Sequence, residues 1–433
     1  MKRYQRWGWL VAVCLLCTIA SRAQEHTSEL YPGTDMDANV PTWVNINAMI
    51  YSSGGRYVGL QRDLHSAVYD PGTNMMIIFG GQLPGLANPD GTVAFQNLND
   101  VWALTNANGL GGAPQWTNLI ANGASGSPPA RHGQKAVYDA ANDRMMIFAG
   151  CEGFCDPITS PGEVWVLANA SGSGGTPTWE QLSISGPAPA SRETSAAVYD
   201  PGTNSMIIFG GHGRTGGCNQ AGDFFGDTWV LSNANGLGGS PAWTQLSPTG
   251  GPPLGQFGPS AVYDSVNNIM TVFGGGTPGA CGGPATNAVW TLSHANGQGG
   301  TPVWSNIVPD GTPGAPSRRG GHTAVYDPDS NRMIIFAGGT GGSNVDGNDV
   351  WVLSNANGLG GTPSWHKLVP RGTPPAPRDS HTAVYDTTHK RMVIFGGTGL
   401  EGEFWSTWAL TPVSTFSPVP LEEDEPEVAG SEP

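Results

Sequence analysis

Five arginines occupy one position of a recurring pattern. The string Ala-Val-Tyr-Asp occurs six times in the 433-residue chain, and each copy starts with an alanine: Ala67, Ala136, Ala197, Ala261, Ala324 and Ala383. Five residues before that alanine stand Arg62, Arg131, Arg192, Arg319 and Arg378, with Gln256 in the fourth copy. A guanidinium group binds carboxylates and phosphates through two parallel hydrogen bonds. The pattern predicts either binding sites for anionic groups or structural contacts to an Asp or a carbonyl of a neighbouring repeat.

Three histidines also share one repeat position: His65, His322 and His381. Neutral imidazole is a common metal ligand, so a metal cluster is one interpretation. We favour a role in capping the start of a strand, and we predict neither a metal site nor a cofactor.

Four of the six cysteines lie outside residues 1–23: Cys151, Cys155, Cys218 and Cys281. All four lie in the same type of link, in repeats two, three and four. Four cysteines allow three pairings in an exported protein. We predict the pairs Cys151–Cys155 and Cys218–Cys281.

Constant spacings reveal the elements that must position these residues. Each Ala-Val-Tyr-Asp string is followed, 12 residues after its alanine, by a phenylalanine and then a glycine step. A third strand carries Trp102, Trp165, Trp229, Trp290, Trp351 or Trp408, and a fourth strand carries a second tryptophan 14 residues later in five repeats. Strands of about five residues joined by turns fit this length. Each repeat is therefore predicted to be a four-stranded antiparallel unit.

The sixth repeat lacks its fourth strand after Trp408, and the segment Pro41-Thr42-Trp43-Val44 has the missing pattern. We expect this N-terminal strand to complete the last unit and close a ring, which leaves no terminal repeat exposed. The fold class is all-β, and residues 41–412 are predicted to form one six-bladed β-propeller.

These repeats resemble the kelch-repeat family, which includes the propeller of galactose oxidase. The resemblance rests on Arg-x-x-His before the first strand, on the apolar run into a double glycine such as Gly80-Gly81, and on the paired aromatic residues. It implies arginines at the mouth of a central channel that bind acidic peptides or sugar acids. Arg62, Arg131, Arg192, Arg319 and Arg378 are the residues that match.

Link lengths distinguish scaffold from candidate site. The links between strands one and two, and between strands three and four, barely change, whereas the second-to-third-strand links and the inter-blade links vary widely. The two variable types emerge on one face of an up-and-down blade, which we call the loop face, and binding residues concentrate on such loops. Exposed aromatic residues there suit stacking on sugars or peptides. The candidates are Phe154, Phe224, Phe225, Phe404 and Trp405.

Composition and the chain ends exclude several classes. Gly (65) and Pro (36) are too frequent for a helical bundle, and the net charge of −15 repels nucleic acid. Residues 1–23 have the basic and apolar regions of a secretory signal peptide, which predicts a secreted or periplasmic protein without a membrane span. Residues 24–40 are predicted to be a linker, and residues 413–433 a disordered acidic tail.

Three functions are compatible with this pattern. We expect a monomeric binding module for a carbohydrate, a sugar acid or an acidic peptide or protein, without catalysis. The alternative is a sugar-acid epimerase or mutarotase at the channel mouth, with Glu193 or Asp379 carrying the proton. A copper radical oxidase is disfavoured, because no Tyr is followed by His and only about 20 residues follow the last blade.

Overall fold

The computed structural model describes residues 40–47, 60–87, 93–152, 162–213, 224–251, 253–277, 284–340, 345–400 and 402–412. All of them belong to one compact unit, Asn39–Pro433. Nearly all of the predicted signal peptide, linker and acidic tail lies outside the described residues, so these assignments stay predictions. Within the described part, no helix has the length and apolarity that a membrane span requires.

The described residues contain strands and no helix. In chain order the strands are β1 (Thr42–Asn45), β2 (Ser66–Asp70), β3 (Met75–Phe79), β4 (Gln82–Ala87), β5 (Val93–Asn97), β6 (Val101–Thr105), β7 (Gln115–Ile120), β8 (Lys135–Asp139), β9 (Arg144–Phe148), β10 (Val164–Ala168), β11 (Thr178–Gln181), β12 (Ala196–Asp200), β13 (Ser205–Phe209), β14 (Thr228–Ser232), β15 (Ala242–Gln245), β16 (Ser260–Asp264), β17 (Ile269–Phe273), β18 (Val289–Ser293), β19 (Val303–Val308), β20 (Thr323–Asp327), β21 (Arg332–Thr340), β22 (Val345–Ser354), β23 (Ser364–Leu368), β24 (Thr382–Asp386), β25 (Arg391–Phe395), β26 (Thr398–Gly399), β27 (Gly402–Glu403) and β28 (Thr407–Thr411).

Six four-stranded antiparallel sheets form the blades, which confirms the six-bladed β-propeller. Blade one is β2-β3-β6-β7, blade two β8-β9-β10-β11, blade three β12-β13-β14-β15, blade four β16-β17-β18-β19, blade five β20-β21-β22-β23 and blade six β24-β25-β28-β1. The Ala-Val-Tyr-Asp strands are innermost, and neighbouring ones contact each other. Blade six is completed by β1, whose Trp43 pairs with Leu410 of β28. The predicted ring closure by the N-terminal strand is correct.

The core is divided into six clusters, one between each pair of adjacent blades. Each cluster combines residues of two neighbouring blades, as Phe336 of blade five does with Trp43 of blade six. The phenylalanine that ends strand two packs in every case against the fourth-strand tryptophan of the next blade, with ring centroids 4.8 to 5.3 Å apart. Buried aromatic pairs of this kind contribute about 0.5–1.5 kcal/mol beyond their burial. The constant spacing of these residues therefore follows from contacts between blades.

The face opposite the loop face is held by side-chain hydrogen bonds between blades. In four blades, the second Asn of the Asn-Ala-Asn-Gly type of link donates to the Asp of the preceding blade's Ala-Val-Tyr-Asp strand, as Asn357 does to Asp264 at 2.7 Å. The other pairs are Asn108–Asp386, Asn235–Asp139 and Asn296–Asp200. These contacts explain why this link barely changes.

The loop face carries two additional hairpins that the sequence did not indicate. Strands β4 and β5 pair within the second-to-third-strand link of blade one, and β26 and β27 pair within that of blade six. Blades one and six are neighbours, and β27 contacts β4. In these two blades, part of the second-to-third-strand link therefore forms an additional two-stranded sheet.

Candidate functional site

Six residues close a hydrogen-bonded ring around the channel on the loop-face side. Each donates its backbone N–H to the carbonyl of its counterpart in the preceding blade, at 2.7 to 3.2 Å. The members are Leu64, Gly133, Thr194, Gly258, Gly321 and Ser380. All six have positive φ, between 50° and 68°. Glycine adopts this conformation freely, whereas the β-branched Thr194 is strained in it. We call this set the backbone ring.

A second set of backbone bonds lies beside it. In every blade the glycine two residues after the strand-two phenylalanine donates to the carbonyl at the arginine position of the next blade, as Gly338 does to Arg378 at 2.9 Å. A Cβ on Gly81 would stand 2.6 Å from the Asp63 carbonyl oxygen. Glycine is therefore required here by close approach of the backbone.

The five arginine side chains are buried, which corrects their expected placement at the open channel mouth. Each is at most 2% exposed. Arg62, Arg192 and Arg319 each form a bidentate pair with a carboxylate of their own blade; for Arg319 and Asp349 the distances are 2.7 and 3.0 Å. Arg131 binds Glu163 and Glu152. Each guanidinium group also donates to the carbonyl of the residue that follows the strand-two phenylalanine, which is Gly80, Ala149, Gly210, Ala337 or Gly396.

The acidic partners were missed in the sequence although a signal was present. They stand two residues before the third-strand tryptophan: Asp100, Glu163, Asp227 and Asp349. In three blades the carboxylate also accepts from the tryptophan Nε1, as in Trp351 to Asp349 at 2.7 Å. Blade four has Ala288 at this position and Gln256 in place of the arginine. In blade four both members of the pair are therefore replaced by uncharged residues, which agrees with a structural role for the pair.

Blade six keeps its arginine but has Ser406 at the acidic position. Arg378 donates to the Ser406 hydroxyl at 3.1 Å and stacks on the Phe404 ring, 4.3 Å from its centroid. Burial lowers the pKa of Arg378 to about 10. The π face of Phe404 partly compensates this buried cation.

The aromatic candidates divide between the arginines and a histidine. Phe225 covers Arg192 at 3.9 Å, as Phe404 covers Arg378. Phe224 is half-buried and packs against His212, with centroids 5.0 Å apart. Trp405 is also half-buried. Phe154 lies outside the described residues.

A buried cluster lies at the junction of blades two and three. Glu193 faces His132, 3.5 Å from its Nε2, and His212, 3.4 Å from its Nδ1. His132 Nδ1 donates to Asn97 Oδ1 at 2.8 Å. Burial opposes ionisation of Glu193, but the hydrogen bonds and charges of the two histidines outweigh it and lower its pKa to about 2.

The same junction contains Cys151. Its sulfur, His132 and Glu193 offer ligand atoms within 4.8 Å of one another. Cys151 is disulfide-bonded, so it does not supply the thiolate that a metal would bind. Cys155, Cys218 and Cys281 lie outside the described residues, and the two predicted pairings stay predictions.

The recurring histidines connect adjacent blades. Nε2 of His65, His322 and His381 lies 2.7 Å from the hydroxyl of Thr382, Ser260 and Thr323, respectively, at the start of the preceding blade's inner strand. Burial first, then a nearby arginine, lowers the pKa of each, that of His322 to about 3. The three rings are therefore neutral near pH 7.

Their tautomer follows from the hydrogen bonds. Nδ1 of each ring is buried and has no partner within the described ranges. A proton on Nδ1 would leave a buried donor unpaired, at a cost of about 1–3 kcal/mol. We infer that the proton is on Nε2 and is donated to the hydroxyl.

Comparison with known proteins agrees with this architecture. The family model "KLHDC2/KLHL20/DRC7 Kelch-repeats domain" matches residues 85–296 and 282–433. The chain belongs to the kelch-repeat family. The kelch propeller is 30% identical to human Host cell factor 2 over 62% of this chain and 31% of that protein. It is 31% identical to Dynein regulatory complex subunit 7 of Chlamydomonas reinhardtii over 32% of this chain and 10% of that protein.

An F-box/kelch-repeat protein of Arabidopsis thaliana is 30% identical over 35% of this chain and 30% of that protein. The matched regions thus span less than a third of each of these relatives. Among solved structures, a chain in "Cryo-EM structure of RAG in complex with one melted RSS and one unmelted RSS" matches with a TM-score of 0.50 and 13% identity. The match covers 86% of the kelch propeller and 99% of that chain, and it shows the fold alone.

Proposed function

We propose that this kelch propeller is a non-catalytic protein-interaction module that binds its partner through the loop face. The observation that carries the proposal is a set of exposed apolar side chains on the variable links. Phe95 (47% exposed) and Leu400 (87%) lie in the neighbouring blades one and six, and Leu254 and Phe257 lie in the link before blade four. Exposed apolar side chains on variable loops are typical of interaction surfaces.

The names of the relatives support this proposal. One is a subunit of a dynein regulatory complex, and another combines an F-box with kelch repeats. Both names describe proteins that contain the repeats within a longer chain or an assembly. The same use of the propeller here is our proposal.

The contacts of the arginines bear on whether the ligand is anionic or apolar. The prediction of a carbohydrate, a sugar acid or an acidic peptide depended in part on an open ring of guanidinium groups. Because these groups are buried and bonded, they do not support an anionic ligand, and we favour an uncharged, apolar segment of a protein partner. A second observation argues against the epimerase alternative. Glu193 is buried and has a pKa of about 2, so it is a poor proton carrier near pH 7.

We also propose that the protein is exported from the cytoplasm by means of its N-terminal signal peptide. The predicted cleavage after Ala23 would remove four basic residues and change the formal charge from −15 to −19. N-terminal sequencing of the protein purified from its native source would test it. A mature N-terminus at Gln24 is expected, and retention of Met1 would contradict export by this route.

Substitution on the two faces tests the binding surface. The double variant F95S/L400S removes apolar side chains from the loop face, and V266S/L359S removes equally exposed ones (89% and 47%) from the opposite face. Each immobilised protein is compared with wild type for retention of partners, by quantitative mass spectrometry, and for affinity of the retained partner.

We expect the loop-face variant to lose at least tenfold in affinity while the control binds like wild type. Equal loss in both variants, or none in F95S/L400S, would contradict the proposal. A parallel thermal-shift screen of sugars and sugar acids tests the alternative ligand classes, since a ligand that binds only the native state raises the melting temperature.

A further inference from the structure

The centre of the propeller contains a partly open cavity of about 220 Å³. It is lined by all six blades, through the backbone ring and the first residues of the innermost strands. The lining contains no Asp, Glu or Arg, and Lys135 is its one residue with a full positive charge at neutral pH. A chamber of this size is smaller than the usual pocket of about 300–1,000 Å³ for drug-sized ligands.

Lys135 is an exception at its repeat position. The equivalent residues that begin the other inner strands are Ser66, Ala196, Ser260, Thr323 and Thr382. Burial lowers the pKa of Lys135 to about 8, and its positive charge contributes to the lowered pKa of His322. Lys135 belongs to blade two and His322 to blade five, on the opposite side of the ring. The ammonium group therefore acts across the channel.

The charge of Lys135 is not compensated by a neighbouring acid. No ion pair joins Lys135 to a carboxylate of the described residues, and desolvation is the cause of its lowered pKa. The Lys135 side chain is half-buried, and a partly desolvated ammonium group without an anionic partner is disfavoured, so binding an anion would stabilise it.

Three hydroxyl groups offer hydrogen bonds in the same chamber. Ser260, Thr323 and Thr382 each accept the Nε2–H of a histidine, which occupies a lone pair and leaves the hydroxyl proton available. Within the described part of the chain these hydroxyls have no other partner. The histidine tautomer thus sets three hydroxyls as donors in the cavity that contains Lys135.

We propose that the central cavity is a binding site for a compact oxyanion, held by the Lys135 ammonium group and by the hydroxyl protons of Ser260, Thr323 and Thr382. This site is distinct from the loop face and does not depend on the function proposed for that face. One positive charge and three hydroxyl donors suit a small oxyanion such as acetate or nitrate.

Anion titration of purified protein tests the site. Thermal unfolding at pH 7 is followed against sodium acetate and sodium nitrate, with ionic strength held constant by sodium chloride, whose anion is not an oxyanion. Isothermal titration calorimetry gives the dissociation constants. The variants are Lys135→Met, which removes the charge, and Lys367→Met, which removes an exposed lysine on the outer strand β23.

We expect acetate or nitrate to raise the melting temperature of wild type and of Lys367→Met. The affinity of Lys135→Met should be at least tenfold lower. Lys135→Met should fold, because it replaces a half-buried charge without an acidic partner by a side chain of similar length, and Lys135→Gln provides a second neutral variant. Equal anion dependence in wild type and both Lys135 variants, or an equal response when chloride replaces acetate, would overturn the proposal.

A second readout reports on the ammonium group itself. The Lys135 side chain is followed by ¹³C NMR across pH 7–11 with and without acetate. A bound anion should raise the lysine pKa from about 8, and an unchanged pKa at saturating acetate would also overturn the proposal.

Discussion

Arg319 and Asp349 form a bidentate ion pair within blade five, between the start of the inner strand and the third strand. Asp349 keeps a lowered pKa: burial opposes its ionisation, but the hydrogen bonds and charge of Arg319 outweigh that penalty. The pair fixes the inter-blade link to the strand that carries Trp351. Blade four shows how the same positions are filled without charges, by Gln256 and Ala288.

This comparison predicts strong coupling between the two residues. Arg319→Gln leaves a largely buried carboxylate, and Asp349→Ala leaves a buried guanidinium group, so each should lower the free energy of unfolding by about 3 kcal/mol. The double variant, which copies blade four, should lose less than the sum of the singles. Urea denaturation of the full double-mutant cycle measures the coupling. The exposed pair Arg318–Asp310 is the control, and Arg318→Gln should change the free energy of unfolding far less than Arg319→Gln does. Additive losses at Arg319 and Asp349 would contradict a structural pair.

The strained member of the backbone ring predicts a stabilising substitution. Thr194 has a φ of 51°, and its buried hydroxyl has no partner among the described residues. Glycine already stands at this position in blades two, four and five. Thr194→Gly should keep both backbone bonds, relieve the strain, and raise the free energy of unfolding by roughly 1 kcal/mol. The reverse change Gly258→Thr should lower it, and thermal unfolding of both variants checks the opposite signs.

The neutral histidines predict a loss of stability in acid. Because burial lowers the pKa of His322 to about 3 while the unfolded value stays near 6.5, the unfolded state binds more protons between these values. Stability should therefore fall as the pH drops below 6.5. His322→Gln should weaken that dependence, which urea denaturation at pH 7.5, 6 and 5 measures.

Nitrogen-15 NMR should show neutral rings protonated at Nε2, and imidazolium signals from His65, His322 or His381 at pH 6 would refute this.

Glu193 predicts a pH dependence in a different range. Its pKa of about 2 lies below the unfolded value of 4.5, so its ionisation stabilises the fold fully above pH 4.5, and the contribution is lost as the pH falls towards 2. Glu193→Gln should be less stable than wild type at pH 6, and the difference should shrink between pH 4.5 and 2.5. A difference independent of pH would show that the carboxylate charge contributes nothing.

The blades and the ring closure were predictable because they depend on contacts that repeat at constant spacing. The pattern around Trp43 was enough to assign β1 to blade six. Burial of the arginines was not predicted, because the acids two residues before the third-strand tryptophan were not compared with the arginine positions. The electrostatic effect of Lys135 on His322 could not be predicted from the sequence, since the two residues are far apart in the chain and line opposite sides of the channel.

The backbone ring has a consequence for the evolution of the fold. Its bonds run in one direction, so the six peptide dipoles follow each other around a circle and the arrangement has neither a first nor a last member. Side chains do not form these bonds, which is why Leu, Gly, Thr and Ser all occur among its members. Each blade contributes one donor and one acceptor to the ring, so all six donors and all six acceptors have partners. Substitution of a ring side chain therefore leaves these bonds in place, and the blades can diverge in sequence at the channel without losing them.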